Sequence, residues 1–168
     1  MAREHKTNGR PPADTWSAYQ EGLTAFDAAR FFDAITLLTS IRDADGLLGS
    51  LARFYLGQAQ LYYGVSELRA GRNAAAARHF SIAREINPKA SGLSRFIAAC
   101  HAGQGRFDRA AAELERAADA GLGDADQPIR LAHAFARDGK LPRAVETLVR
   151  AIDDQPHRID VRLQLGLL

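Results

Sequence analysis

The chain has 168 residues, of which 46% are hydrophobic and 25% charged, so it is long enough to bury a core and too apolar to be disordered. Its formal net charge is +2, with no clustered basic footprint, which argues against nucleic acid as a partner. The single cysteine, Cys100, excludes an internal disulfide and fits a reducing, cytoplasmic setting. No apolar run approaches the ~20 residues that cross a bilayer, and Met1 to Pro12 has no signal-peptide core. A soluble cytoplasmic protein without membrane insertion is expected, or a mature chain whose targeting segment has been removed. The Ala, Arg, Leu and Gly bias suits a bacterium with a GC-rich genome.

Residues 1–13 are polar, carry Asn8-Gly9 and Pro11-Pro12, and show no hydrophobic period, so they read as a flexible tail. A first helix is expected over Trp16 to Ala29, with Asp14 or Thr15 as its cap and Tyr19, Leu23 and Phe26 on one face. A second runs from Phe31 or Phe32 to Ile41, followed by a turn at Asp43-Ala44-Asp45-Gly46. A long helical pattern then spans Ser50 to Ala70. Gly57 and Gly64 lie seven residues apart in it, on nearly one face, which marks close helix packing.

Gly71 ends that helix, and Ala74 to Ile86 is its partner, stopped by Asn87-Pro88. The next pair is Leu93 to Gln104 and Phe107 to Ala120. After the Gly121-Leu122-Gly123-Asp124 turn come Gln127 to Asp138 and Leu141 to Asp153, and then a final segment, Ile159 to Leu168.

The helices therefore come in hairpins. Ala76, Ala110 and Ala144 are spaced by 34 residues each, and Leu148, Ala151 and Pro156 have counterparts in Leu114 and Ala117 and in Phe80, Ala83 and Pro88. Ala132 and Ala98 hold the small position of the first helix, and Gly22, Ala34, Leu38 and Ile41 start the series. In this pattern the chain resembles the tetratricopeptide repeat family. The resemblance implies an all-α fold, a right-handed solenoid of antiparallel helix hairpins. It covers residues 14–168 as units of about 15–48, 49–90, 91–124 and 125–158, plus the opening helix of a fifth over 159–168. Small residues let the two helices of a hairpin touch, large ones fill the seam, and neighbours must stack because no hairpin buries its apolar face alone.

Three departures stand out. Ala34 and Ala76 are 42 residues apart, eight more than the repeat, which predicts a second-unit helix projecting two turns beyond its neighbours. The third unit has Leu122 where proline is usual and His101 where a large apolar residue is usual. The fifth unit stops before its hairpin partner and leaves Leu163, Leu167 and Leu168 without cover. That predicts a native chain continuing past Leu168, or an end covered by another chain. A homo-oligomer through the C-terminal end is one form of the second.

Chemistry finds little support. The five histidines are scattered without metal-ligand spacing, Cys100 and His101 are adjacent on a helix and point about 100° apart, and no phosphate-binding glycine loop exists. No enzyme, cofactor or metal is expected. The resemblance implies instead a concave groove lined by the first helices. Its wall would carry Tyr19, Phe26, Phe54, Tyr55, Gln58 and Tyr62 towards the N-terminus, and Arg95, Phe96, Arg130, His133 and Arg137 towards the C-terminus.

An aromatic-to-basic groove suits a protein or peptide with apolar and acidic parts, held by an interaction scaffold. The lysine and asparagine set with which some family members clamp chaperone tails is not matched, since Tyr19, Leu23, Tyr55, Gly92 and Phe96 stand in those places. The alternative is a substrate-positioning or partner-positioning repeat region ahead of a catalytic domain, as in bacterial sulfotransferases or glycosyltransferases.

Overall fold

The computed structural model describes residues 13–90 and 92–168. The expected tail lies outside these residues except for Ala13. Helix α1 spans Ala13–Asp27, so Asp14 and Thr15 lie inside its first turn rather than capping it. Then follow α2 (Phe31–Ile41), α3 (Gly46–Arg69), α4 (Asn73–Ile86), α5 (Leu93–Gly103), α6 (Phe107–Asp119), α7 (Gln127–Arg137), α8 (Leu141–Asp154) and α9 (Ile159–Gly166). The fold is all-α. Consecutive helices pack against one another along the whole series, as hairpin stacking requires. The boundary placed between residues 48 and 49 falls inside α3.

Small residues set the hairpin spacing. A Cβ built on Gly22 would lie 2.9 Å from Leu38 Cδ2, and one on Gly64 would lie 2.8 Å from the Phe80 ring. The Gly57 counterpart would meet Ile86 at 3.2 Å, so the two glycines of α3 both face α4. Ala34, Ala76 and Ala144 are fully buried and Ala110 is 1% exposed. The core divides into clusters around Leu38 and Leu56, around Phe80 and Ile97, and around Leu114 and Leu148.

The turn inside each hairpin repeats one hydrogen-bond pattern. Gly71, Gly105 and Gly139 adopt φ near +75° (+74, +73 and +77°), and the amide after each bonds the carbonyl five residues back: Arg72 to Glu67 (2.9 Å), Arg106 to His101 (2.9 Å) and Lys140 to Phe135 (2.8 Å). This satisfies carbonyls the helix end leaves free. In the first hairpin Arg30 bonds Ala25 in the same way at 2.8 Å, but the left-handed residue is Ala29, at φ +56°. A Cβ is disfavoured there by ~1–2 kcal/mol.

The same motif explains the missing proline of the third unit. Gly121, at φ +67°, ends α6, and Leu122 N–H bonds Ala117 O at 2.9 Å. Helix α6 is stopped by its own C-terminal glycine, so Leu122 need not be proline.

The extra residues lengthen α3 at its N-terminal end to 24 residues. This extension does not project as an isolated wall. Leu48, Ala52 and Leu56 are buried in one cluster with Tyr19, Leu38 and Ile41, and Arg53 donates to Arg42 O at 2.8 Å. Gly49 marks the tightest point, since a Cβ there would sit 1.9 Å from Ala44 O. At the other end, Ile159, Leu163 and Leu167 are exposed, and no atom of a neighbouring element lies within 4 Å of a Cβ on Gly166.

Chemical denaturation tests both backbone assignments. Ala29→Gly should raise unfolding stability by about 1 kcal/mol by relieving the left-handed alanine. Gly49→Ala should lower it by roughly 2 kcal/mol or more, because backbone has to move.

Candidate functional site

The sequence-predicted wall residues separate into two environments. Towards the N-terminus the aromatics pack on one another. Tyr19 is only 6% exposed and belongs to the core, with the Trp16 and Tyr55 rings 5.9 and 6.4 Å away. Phe26 meets Tyr55 at 5.6 Å and Tyr62 at 5.9 Å, both edge-on, and Phe31 stacks on Tyr62 at 5.3 Å. Tyr62 and Phe54 keep about half their surface in solvent. Phe54 and Gln58 line a cleft of about 330 Å³ between α3 and the end of α4, floored where Gly57 leaves room beside Ile86.

Towards the C-terminus the polar wall residues converge. Arg95 on α5 and Arg130, His133 and Arg137 on α7 line one hollow of about 680 Å³. Its floor is apolar: Ala98, Ala102, Ala110, Leu114 and Ala134, with Phe107 at one edge. Helical spacing explains the set, because 130, 133 and 137 follow the three-and-four step of one face. Phe96 does not line this hollow. Its ring stacks on Phe80 at 5.1 Å, and the Arg95 guanidinium lies over it at 4.7 Å. The Arg137 guanidinium lies over Phe107 at 5.0 Å. Aromatic faces thus back two of the three arginines, and this orients their N–H edges.

The remaining groups are partnered. His133 Nε2 and Gln164 Oε1 are 2.7 Å apart, which joins α7 to α9. Arg130 Nη2 donates to Asp124 Oδ1, and Arg95 Nη1 stands 3.8 Å from Asp124 Oδ2. Burial alone would raise the Asp124 carboxyl, but the Arg130 hydrogen bond and charge hold it below the ordinary range. Arg130 Nε is buried with no hydrogen-bond partner in the protein. Sequence reasoning missed Phe107 and Asp124. Phe107 follows a hairpin turn and Asp124 sits in a turn, and neither position reveals which way the side chain points.

Cys100 is fully buried, and burial pushes its thiol up to about 11, the reverse of an activated nucleophile. His101 Nδ1 is buried without a partner. Desolvation lowers the ring's pKa, with Arg109 and Arg106 adding to it and Glu113 and Asp108 opposing. Among the described residues no group of three or more His, Cys, Asp and Glu is placed to hold a metal ion. Nor is any described helix long and apolar enough to cross a membrane.

Comparison with known proteins fits this architecture. Residues 67–131 match the family model described as tetratricopeptide repeat. That stretch carries the family's repeat pattern. The chain is similar to the solved structure of MamA from Desulfovibrio magneticus RS-1, with a TM-score of 0.58 and 18% identity over 93% of this chain and 84% of that one. It is also similar to a thermophilic TPR protein of Thermus thermophilus, with a TM-score of 0.52 and 21% identity over 92% of this chain and 81% of that one. At such identities the likeness is one of fold. No curated protein matches the sequence.

Two partly buried histidines give the helical array a pH dependence. Desolvation lowers the pKa of both His79 and His101, so the folded state favours the neutral rings. The unfolded chain then binds more protons just below the ordinary histidine value of about 6.5, and stability falls as pH drops from about 7 to 5. The position equivalent to His101 in the next unit is Phe135, which is 2% exposed. His101→Phe should therefore raise stability at pH 7 by about 1 kcal/mol and shrink the loss on acidification, as read by denaturant midpoints across that range.

Proposed function

We propose that this chain is an interaction scaffold that holds a protein segment with apolar and acidic parts in its concave groove. Tetratricopeptide arrays generally mediate contacts between proteins, which supports the class of function. The hollow between α5 and α7 supports the finer reading. Three arginines and a histidine surround an apolar floor in a volume of about 680 Å³. An apolar side chain gains from leaving water against the Ala98, Ala102 and Ala134 surface, and carboxylates beside it meet oriented guanidinium edges.

The exposed Phe54 and Tyr62 extend the apolar part of the track towards the N-terminus. Tyr19 serves the core, so binding energy on this reading concentrates in the C-terminal half. The double variant Arg130→Glu with Arg137→Glu should abolish capture of a protein partner while the helical circular dichroism is unchanged. Undiminished capture by the folded variant rejects the basic groove.

A second contact is supported by α9. Its exposed Ile159, Leu163 and Leu167 face and the open position beside Gly166 suit a second copy of the chain packing end to end. Light scattering over a range of concentrations should show a concentration-dependent dimer that Leu163→Glu dissociates. A strict monomer rejects it.

A further inference from the structure

Asp124 belongs to the turn between α6 and α7, not to the groove helices, and does not itself line the arginine hollow, yet its carboxylate bonds one of the hollow's arginines and stands 3.8 Å from a second. The turn shapes itself around that carboxylate. Asp126 N–H donates to Asp124 Oδ1 at 3.1 Å, and Gln127 N–H donates to Asp124 O at 3.0 Å. This is the local side-chain bonding by which aspartate stabilises turns. Two cations share the carboxylate: Arg130 by a hydrogen bond, Arg95 at 3.8 Å.

The pairing leaves the Arg130 guanidinium half used. Nη2 is taken by Asp124, while Nε is buried and without a partner in the protein. A carboxylate set squarely against a guanidinium takes two of its N–H groups at once. Asp124 takes one, because its turn holds it. The Asp124 side chain is also 39% exposed and the Arg130 side chain 32%, and ion pairs at such exposure are weak and readily exchanged.

We propose that Asp124 is an internal stand-in for a ligand carboxylate. The Arg95–Arg130 pair is a subsite for an acidic side chain of the bound segment, and that side chain enters by displacing Asp124. This rests on the groove reading above and adds to it a selection rule. A segment whose carboxylate satisfies both Nε and Nη2 of Arg130 outcompetes Asp124, whereas a segment offering only apolar contacts leaves the arginines closed on the turn. The α6–α7 turn is thereby a gate on the basic half of the groove.

The test measures fluorescence anisotropy of a fluorescein-labelled peptide of alternating glutamate and leucine, at low salt, with the full chain. Asp124→Asn keeps the size and the turn acceptor but removes the charge. It should bind about fivefold tighter than the parent chain, the factor an exposed ion pair can hold back. Asp124→Ser, a second variant able to accept the Asp126 N–H bond, should do the same, and thermal melts establish that each variant is folded. Adding Arg95→Gln to Asp124→Asn should erase the gain. Asp153→Asn, the same charge change at an exposed site on α8 outside the hollow, should shift affinity less than about twofold.

Equal tightening by Asp153→Asn and Asp124→Asn would reduce the effect to net charge and overturn the proposal. Binding by the parent chain with no gain in either Asp124 variant overturns the gate and leaves the groove standing. Binding by neither parent nor Asp124 variants overturns the groove and the gate together.

Discussion

Everything in this fold depends on helices that touch closely. Gly22 against Leu38 and Gly64 against Phe80 leave no room for a methyl group, and the buried alanines at 34, 76, 110 and 144 keep the same spacing along the chain. Close approach brings large side chains into contact along whole helix faces, where dispersion and burial accumulate. It also sets the curvature of the stack, and hence the groove. A solenoid whose hairpins stood further apart would present the same arginines, but not around one hollow.

Ion pairs then fix how successive hairpins sit. Arg84 on α4 reaches Glu113 on α6 at 2.7 Å, and Arg143 on α8 bonds Glu115 on α6. Arg158, just before α9, donates to Ala125 O at 2.8 Å and to Asp126 Oδ1 at 3.0 Å. The first two join one unit to the next across a seam, and the Arg158 bonds tie the end of the fourth unit back to its beginning. The Arg143–Glu115 pair is exposed and so orients more than it stabilises, whereas the Glu113 and Arg158 side chains are largely shielded from solvent. Because Asp126 is tied to Arg158 and Asp124 to Arg130, the α6–α7 turn is held both by α7 and by the residue that precedes α9.

Repeat spacing made most of the fold legible from residues alone. Ala76, Ala110 and Ala144 set the register, and from it the hairpin turns, the small positions and the helix order follow. Ala29 was equally readable in principle, because it precedes Gly71 by the same 42 residues that separate Ala34 from Ala76. Its substitution for glycine hid it. The α3 extension was visible as eight surplus residues, but its packing was not, since Leu48 and Leu56 show an apolar face without naming what it meets. The site was legible by halves. Arg130, His133 and Arg137 share a face of α7 by helical arithmetic, whereas Tyr19 turned inward when the extension brought Tyr55 beside it. Asp124 was beyond reach, because a turn's one-dimensional signal does not say where its carboxylate points.

The position of the hollow has a mechanical side. Arg95 and Ala98 belong to one hairpin and Arg130, His133 and Ala134 to the next, so the hollow straddles a seam rather than lying within a unit. Stacked hairpins that touch only their neighbours form a spring, and a seam is where such a spring flexes. On the groove reading proposed above, a segment seated across it would act as a splint. Twisting or stretching such a stack would change the distance between α5 and α7, and with it the width of the hollow.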